Sequence, residues 1–414
     1  MSSSSRDASA LIRQRLVRLL LLPCLGVVGG EVCAADGFFI PDVALSVENH
    51  SNIDMVPKGA AGTLDESVTG VVAEAAAIAG WRSPRGSLEL RPALSFQSYR
   101  NRDDLERTNG YLDAKADYNS QRTHFDLIGR LSKEDEYKFN LPEAGFNNFN
   151  PDTPDTTATG RLNSVTDTVG RLYIEPNIAH QFSERRAAGF RASYEMVDYN
   201  HEGLDRVDYS NGLVELYLLS DVSQRTKFET GVYASRYESD GDLNTTDSVG
   251  AALTLRHQWS PTFKGDFTVN IEQSSTTTPV LDNDKSTNFG ASMLLERRME
   301  VSRVRFEIGQ YYRPSGSGTR ARLDQARLQY SRDLSERWHF GLAARGFRSR
   351  GEDLGTSDRD YARAGLDLRW DMSRTWYLSG GYDYIWEDYV RNAAGSREDH
   401  TFRLRIGYYG LDPR

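Results

Sequence analysis

The chain has 414 residues, a formal net charge of -9 and a mean hydropathy of -0.58, and it is rich in Gly, Tyr, Phe and Trp. After the N-terminal segment it has no apolar run near ~20 residues, which excludes a multi-span helical membrane protein. The acidic balance argues against nucleic acid as a partner, because phosphate binding requires a basic face. The class that remains is all-β, with a surplus of aromatic residues.

The N-terminus has the order of a secretory signal peptide. Arginines precede an apolar run at 19–28, and residues 32–34 offer a cleavage site. A short membrane anchor is the alternative, but no stop-transfer pattern follows. We therefore predict Sec export, a signal peptide over 1–34 and a mature domain over 35–414. Both cysteines fall within the signal, so we expect a closed hydrogen-bonded sheet, rather than disulfides, to stabilise the mature chain.

An internal repeat organises the mature sequence. Short segments with an apolar residue, a serine and then polar residues recur before β-rich runs. Their serines are Ser83, Ser120, Ser183, Ser223, Ser260, Ser302, Ser335 and Ser373. Seven intervals separate these serines, and six of them span 33 to 42 residues, enough for two strands of ~10–12 residues, a tight turn and a longer loop. The remaining interval of 63 residues contains 134–165, which reads as one long loop insertion.

Between the turns, apolar and polar residues alternate with period 2, as a strand with two unlike faces requires. The segments 376–386 and 402–408 show this alternation, and tryptophans such as Trp338 and Trp370 stand near strand ends. Strands of about ten residues suit a tilted crossing of a bilayer, whereas strands of soluble sandwiches are nearer ~5–6 residues. A transmembrane barrel is therefore favoured over the alternative of a soluble β-solenoid or propeller.

The strand number follows from the turns. Eight short turns join sixteen strands in pairs, and a first strand near 43–49 and a last strand near 401–409 complete the set. We predict an antiparallel up-and-down transmembrane β-barrel of 18 strands, with 16 as the alternative, because alternation is poor over 321–330. A barrel of this size leaves an aqueous channel.

Two features of the sequence resemble a known family. The segment 41–52 is a first strand that runs into a polar loop, and Ser-x-Arg turns recur with Gly-Tyr strands such as 380–384. Along nearly the whole mature chain this is similar to beta-barrel porin family 2 of bacterial exopolysaccharide loci, and the strand number resembles that of the alginate-type exporters.

That resemblance implies an outer-membrane pore for a secreted polysaccharide. The partners it implies are a periplasmic or outer-membrane polysaccharide export protein, besides the membrane lipids and the barrel-assembly machinery. One departure is the tail 410–414, which follows Tyr409 where the assembly signal normally ends on an aromatic residue.

The charge of the predicted lumen is read from the inward positions of the alternation. In the last third of the chain these include seven arginines, namely Arg303, Arg305, Arg345, Arg363, Arg369, Arg403 and Arg405. The first half of the chain supplies a mildly acidic wall. Guanidinium groups pair well with carboxylates, so we hypothesise that the arginine wall conducts an anionic polymer or solute. The alternative is that these charges pair over the lumen and only stabilise a polar interior.

No motif predicts an enzyme, a cofactor or a metal site. The leading interpretation is a passive conduit for exopolysaccharide export in the outer membrane of a Gram-negative bacterium. The alternatives are a general or solute-specific diffusion porin, a barrel-embedded hydrolase or deacylase, and a structural barrel that the loop 134–165 plugs. Phe139, Phe146 and Phe149 would let that loop pack inward.

Overall fold

The computed structural model describes residues 36–53, 55, 67–136, 167–199, 207–239, 244–277, 284–314, 320–351, 358–389 and 395–411. The predicted signal peptide and nearly all of the predicted loop 134–165 lie outside these residues. No helix in the described part of the chain is long and apolar enough to cross a membrane.

Eighteen strands make up the structure. In chain order they are β1 (Asp36–His50), β2 (Val68–Ser83), β3 (Gly86–Tyr99), β4 (Arg107–Asn119), β5 (Thr123–Glu136), β6 (Asp167–Ser183), β7 (Arg186–Tyr199), β8 (Tyr209–Ser223), β9 (Thr226–Ser239), β10 (Thr245–Ser260), β11 (Phe263–Thr277), β12 (Asp284–Arg298), β13 (Ser302–Pro314), β14 (Arg320–Asp333), β15 (Trp338–Gly351), β16 (Arg359–Asp371), β17 (Trp376–Tyr389) and β18 (Arg397–Tyr409). One 3-10 turn, Asp103–Leu105, precedes β4.

Each strand pairs antiparallel with its neighbours in sequence, and β1 closes the ring against β18 from Asp42↔Tyr409 to His50↔Thr401. The predicted closed barrel of 18 strands is confirmed. Its strands are longer than predicted, at 13 to 17 residues. Glu134, predicted as the start of the long loop, is therefore still in β5. The segment 321–330 is a regular strand whose outer face is polar near its start, at Arg322 and Asp324.

All eight short connections fall at the predicted serines, and the serine side chain explains their recurrence. In the β2–β3 turn the Ser83 hydroxyl accepts the backbone N–H of Gly86 at 3.1 Å. Ser373 does the same for Trp376 at 3.0 Å in the last short turn. Because a serine hydroxyl can satisfy a backbone donor two or three residues ahead, it stabilises a tight reversal. The eight short connections all lie at one end of the barrel, which we call the short-turn end. The longer connections lie at the opposite end, which we call the long-loop end.

The two faces of the sheet have opposite character. On β18, the outward Phe402 and Leu404 are each 59% exposed, while the inward Thr401 and Arg405 are 1% and 8% exposed. Trp338 on β15 and Trp370 on β16 stack at 5.9 Å near the short-turn end of the outer face. An apolar outer band flanked by aromatic residues and a polar interior are typical of an outer-membrane barrel.

Tyrosines packed on glycines explain part of the surplus of both residue types. At several places an inward tyrosine ring covers the glycine directly opposite it on the next strand, where a Cβ would collide with the ring. These pairs are Gly70–Tyr99, Gly189–Tyr217, Gly250–Tyr233 and Gly407–Tyr377. Each ring fills the space that its partner lacks, and so fixes the register of the two strands.

Candidate lumen site

Three arginines lie side by side on the inner wall. Arg327 on β14 is the register partner of Arg345 on β15, and Arg345 is the register partner of Arg363 on β16. All three occupy inward positions, because the apolar residues that alternate with them, such as Leu366, face outward. We call these three residues the arginine row. Their guanidinium groups place three positive charges on one rung of the sheet.

The surroundings of the arginine row offset part of the repulsion between like charges on neighbouring strands. Arg363 donates from Nε and Nη2 to Oδ1 of Asp383, at 3.0 and 2.8 Å. The guanidinium carbon of Arg345 lies 5.1 Å from the ring centre of Phe347, within the range of a cation–π contact. The row is thus held in place by Asp383 and the ring of Phe347, and Glu307 is the register partner of Arg327 at its other end.

The seven predicted path arginines all take inward positions, and five of them pair with carboxylates along the wall. The pairs are Arg303–Glu296 at 3.1 Å, Arg363–Asp383 at 2.8 Å, Arg369–Asp371 at 2.7 Å, Arg403–Glu48 at 2.5 Å and Arg405–Glu74 at 2.6 Å. In each pair the acid lies on the same strand, on the adjacent strand or two strands away, not on the facing wall. Arg345 belongs to the arginine row, and Arg305 lies on β13 in register with Glu296.

The facing wall is richer in carboxylates. In a ring of 18 strands, β6 is nine strands from β15 and therefore faces it. Near β6, the Arg191 guanidinium pairs with Glu215 at 2.8 Å and also reaches Glu229 at 3.5 Å, while Arg256 pairs with Glu229 at 2.5 Å. Further inward carboxylates on β4 to β7 are Asp113, Asp117, Asp126, Glu175 and Glu195. Inward cations on the same strands, such as Lys115, Arg130 and Arg171, offset most of these charges, so the wall that faces the arginine row is only mildly acidic.

One arginine spans several strands at the long-loop end. Arg320, the first residue of β14, donates from Nη1 to Oε1 of Glu272 on β11 at 2.5 Å and to Oγ of Ser248 on β10 at 3.0 Å. The Arg320 and Glu272 side chains are 8% and 7% exposed. Three sheet steps of about 4.8 Å separate the two strands. The Arg320–Glu272 pair therefore bridges β14 and β11 across the edge of the lumen. We call this ion pair the strut.

The first long connection also turns inward. His50 ends β1 and its Nδ1 lies 2.8 Å from Oδ2 of Asp399, whose Oδ1 accepts the backbone N–H of Asn52 at 2.8 Å. Beyond this anchor, Ile53 and Met55 are 5% and 1% exposed. Met55 clusters with inward residues of four strands, Leu323, Phe347, Tyr361 and Ile385. Met55 therefore covers the lumen side of β14 to β17 at the long-loop end.

Sequence reasoning missed several of these residues. Arg327 lies in the segment of poor alternation, so its inward orientation could not be assigned. Arg320 and Met55 stand at or beyond strand ends, where period 2 carries no information. The loop proposed to fold inward, 134–165, lies almost entirely outside the described residues, and so do its phenylalanines.

Within the described ranges, no group of three or more His, Cys, Asp or Glu side chains is arranged to hold a metal ion. The titratable side chains of the lumen instead form ion pairs along the wall.

Comparisons with known proteins find similar solved structures only at low sequence identity. No family model matches the sequence, and no curated protein matches it. OccK2 (OpdF) of Pseudomonas aeruginosa in complex with glucuronate is similar at 8% identity, over 92% of this chain and 98% of that chain, with a TM-score of 0.48. The outer membrane protein opdK of the same organism has 11% identity over 91% and 99%, with a TM-score of 0.42. OccAB3 of Acinetobacter baumannii has 10% identity over 90% and 99%, with a TM-score of 0.42.

The fold itself, a closed antiparallel barrel of 18 strands, is given by the strand pairing. The expected membership of beta-barrel porin family 2 is not supported, because no family model matches.

Proposed function

We propose that this protein is an outer-membrane pore for the passive diffusion of small anionic solutes. The apolar outer face with its tryptophan belt fits a bilayer, and the inner face is lined by charged side chains that require water. In barrels of this type the short turns lie on the periplasmic side and the long loops outside. The proposal therefore places the strut and the first long connection at the extracellular mouth.

The observation that carries this proposal is the arginine row facing an acidic wall. Three adjacent guanidinium groups raise the local concentration of anions, and charged groups that line a pore set its selectivity. Because each guanidinium is a planar fork of N–H donors, it also matches a carboxylate in shape. Carboxylate solutes are therefore the class we propose. Arg403, Arg405 and the other predicted path arginines would line the same lumen, most of them as ion pairs with wall carboxylates.

Export of an exopolysaccharide is the other use of such a lumen, and it was the leading expectation from the sequence. Diffusion of small solutes is preferred because the strut and the inward-packed Met55 both narrow the lumen at the long-loop end. A polysaccharide chain on its way out would have to pass both. The partners we propose are the lipids of the outer membrane and the barrel-assembly machinery.

The test uses the full mature chain in liposomes. We expect rapid entry of a monomeric sugar acid, slower entry of the neutral sugar of equal size, and exclusion of a long uronate oligomer. A reconstituted barrel that passes the oligomer as readily as the monomer would support polymer export and contradict our proposal. Absence of any conductance in planar bilayers, with a folded barrel shown by its heat-dependent gel mobility, would contradict a pore of either kind.

A further inference from the structure

Arginines recur in the short connections between β2 and β9. Each of these four connections contains one arginine, and Arg186 at the start of β7 adds a fifth. All five side chains are exposed, and we call them the basic arc: Arg85, Arg122, Arg185, Arg186 and Arg225. Every residue of the four connections is described, and Glu184 is their only carboxylate. The arc lies at the short-turn end and has no residue in common with the arginine row of the lumen.

Backbone hydrogen bonds hold the connections at one level. In three of them the arginine carbonyl accepts a backbone N–H from the end of the next strand. These bonds are Gln181 to Arg122 at 2.7 Å, Asp221 to Arg185 at 2.8 Å and Gln258 to Arg225 at 2.8 Å. Further round the ring, Arg337 accepts such a bond from Asp371 at 2.8 Å and directly precedes Trp338 of the tryptophan belt. The arc therefore stands just beyond the belt, at the depth of the lipid headgroups.

The positive charge of the arc exceeds the negative charge around it. Asp117 and Asp221 lie nearby but face the lumen, where Asp117 accepts the Ser87 hydroxyl and Asp221 pairs with Lys227 at 3.3 Å. With these residues and the register partners Arg82 and Asp36 included, seven basic side chains meet four carboxylates. Within the described part of the chain, no ion pair engages the side chains of the four arc arginines Arg122, Arg185, Arg186 and Arg225. A net charge of about three therefore remains, and it lies on exposed side chains.

The outer face of the barrel has the same sign of charge at this end. In the short-turn half of the described strands, the outward positions include Arg186, Arg297 and Arg332 but no Asp or Glu. Outward carboxylates such as Asp198 and Glu238 stand in the long-loop half. The leaflet at the short-turn end therefore meets cationic side chains without anionic ones beside them on the strands.

We propose that the basic arc binds the headgroups of anionic phospholipids in the leaflet at the short-turn end. In the orientation proposed above this is the periplasmic leaflet. A lipid with a net negative charge supplies what the arc lacks, and arginine binds phosphate through two parallel hydrogen bonds. Basic side chains beside the hydrocarbon boundary attract anionic lipids in this way.

The depth of the arc favours a lipid over an anionic polymer of the periplasm, because Arg186 points outward from the barrel wall toward the bilayer. The proposal rests on the placement in a membrane given above, but not on what passes through the pore.

The experiment measures lipid binding to the full mature chain in a neutral detergent. Native mass spectrometry follows the titration of phosphatidylglycerol, with phosphatidylcholine of the same acyl chains as the matched ligand. We expect phosphatidylglycerol to bind at least about tenfold more tightly. The variant Arg122→Gln/Arg186→Gln/Arg225→Gln should reduce this preference to within about twofold, since each arginine beside an anionic headgroup contributes roughly fivefold. The control Arg327→Gln/Arg345→Gln/Arg363→Gln removes as many charges from the lumen and should keep the preference.

Four outcomes would overturn the proposal. They are equal binding of the two lipids, an equal loss in the lumen control, displacement of the lipid by millimolar inorganic phosphate, which would indicate a simple anion site, and retention of the natural chain, but not of the arc variant, on isolated peptidoglycan, which would assign the arc to the cell wall. The comparison of lipids on the natural chain decides the question even if the triple variant fails to fold. Conductance of the same preparation reports separately on the pore, so equal lipid binding with normal conductance contradicts this inference alone.

Discussion

The arginine row gives the most direct test of how the lumen selects ions. We consider the replacement of Arg327, Arg345 and Arg363 by glutamine, which removes three charges and keeps hydrogen-bonding side chains. In the water-filled lumen an ion passing about 8 Å from each guanidinium gains about 0.5 kcal/mol per charge before screening. At 0.1 M salt the Debye length of about 10 Å reduces this to roughly 0.2 kcal/mol each, or about 0.7 kcal/mol for the row.

This energy enriches anions about threefold and depletes cations about threefold, so the triple variant should lower the anion-to-cation permeability ratio about tenfold. At 1 M salt the Debye length is only about 3 Å, and the same substitution should change the ratio by less than about twofold. The reversal potential across a planar bilayer under a salt gradient measures the ratio directly.

A control variant removes the same number of charges from the outer face, with Arg236, Lys285 and Arg297 replaced by glutamine. Its ratio should stay within twofold of the natural value at both salt concentrations. An effect of the lumen variant that is as large at 1 M as at 0.1 M, or below twofold at 0.1 M, would refute the electrostatic reasoning.

Two further predictions concern the stability of the barrel, measured by urea unfolding in lipid vesicles. Arg320→Met leaves the Glu272 carboxylate buried without its partner and should destabilise the fold by about 3 kcal/mol; adding Glu272→Gln should recover most of this loss, and a double variant no more stable than the single one would contradict the strut. Gly407→Ala forces the ring of Tyr377 out of its seat and should cost about 1–3 kcal/mol. Gly380→Ala meets no atom within 4 Å and should be close to neutral, so equal losses at both glycines would exclude packing as the cause.

The strand number and the position of every short turn were predictable from the sequence. The period of 2 is a direct consequence of two unlike solvents on the two faces of the sheet, and the serines mark turns because their hydroxyls cap backbone donors. Strand ends were less predictable. Above the hydrocarbon both faces meet water, so a strand such as β5 continues through Glu136 without any alternation in hydrophobicity.

The arrangement of the lumen charges was predictable only in part. Alternation correctly assigned Arg345 and Arg363 to the inner face. Arg327 lies beside them only because of the register between β14, β15 and β16. Turn lengths and side-chain packing set that register, and alternation does not report it. Because the outward residues Arg322 and Asp324 are polar, the start of β14 lacks the alternation by which the other strands were recognised.

The strut lies beside the shortest strand pairing of the described sheet, which we call the seam. The ladder between β12 and β13 has eight register pairs, from Ala291↔Gln310 to Arg298↔Arg303, and is the shortest in the described sheet. Above it, β12 pairs only with β11 and β13 only with β14, although the Gln310 side chain donates to the backbone carbonyl of Phe289 at 2.7 Å. Arg320 stands on the β14 side of this seam, and Glu272 and Ser248 stand on the other side. The strut therefore joins the two halves of the rim where backbone hydrogen bonds do not, which is why a single ion pair there should carry an unusual share of the barrel's stability.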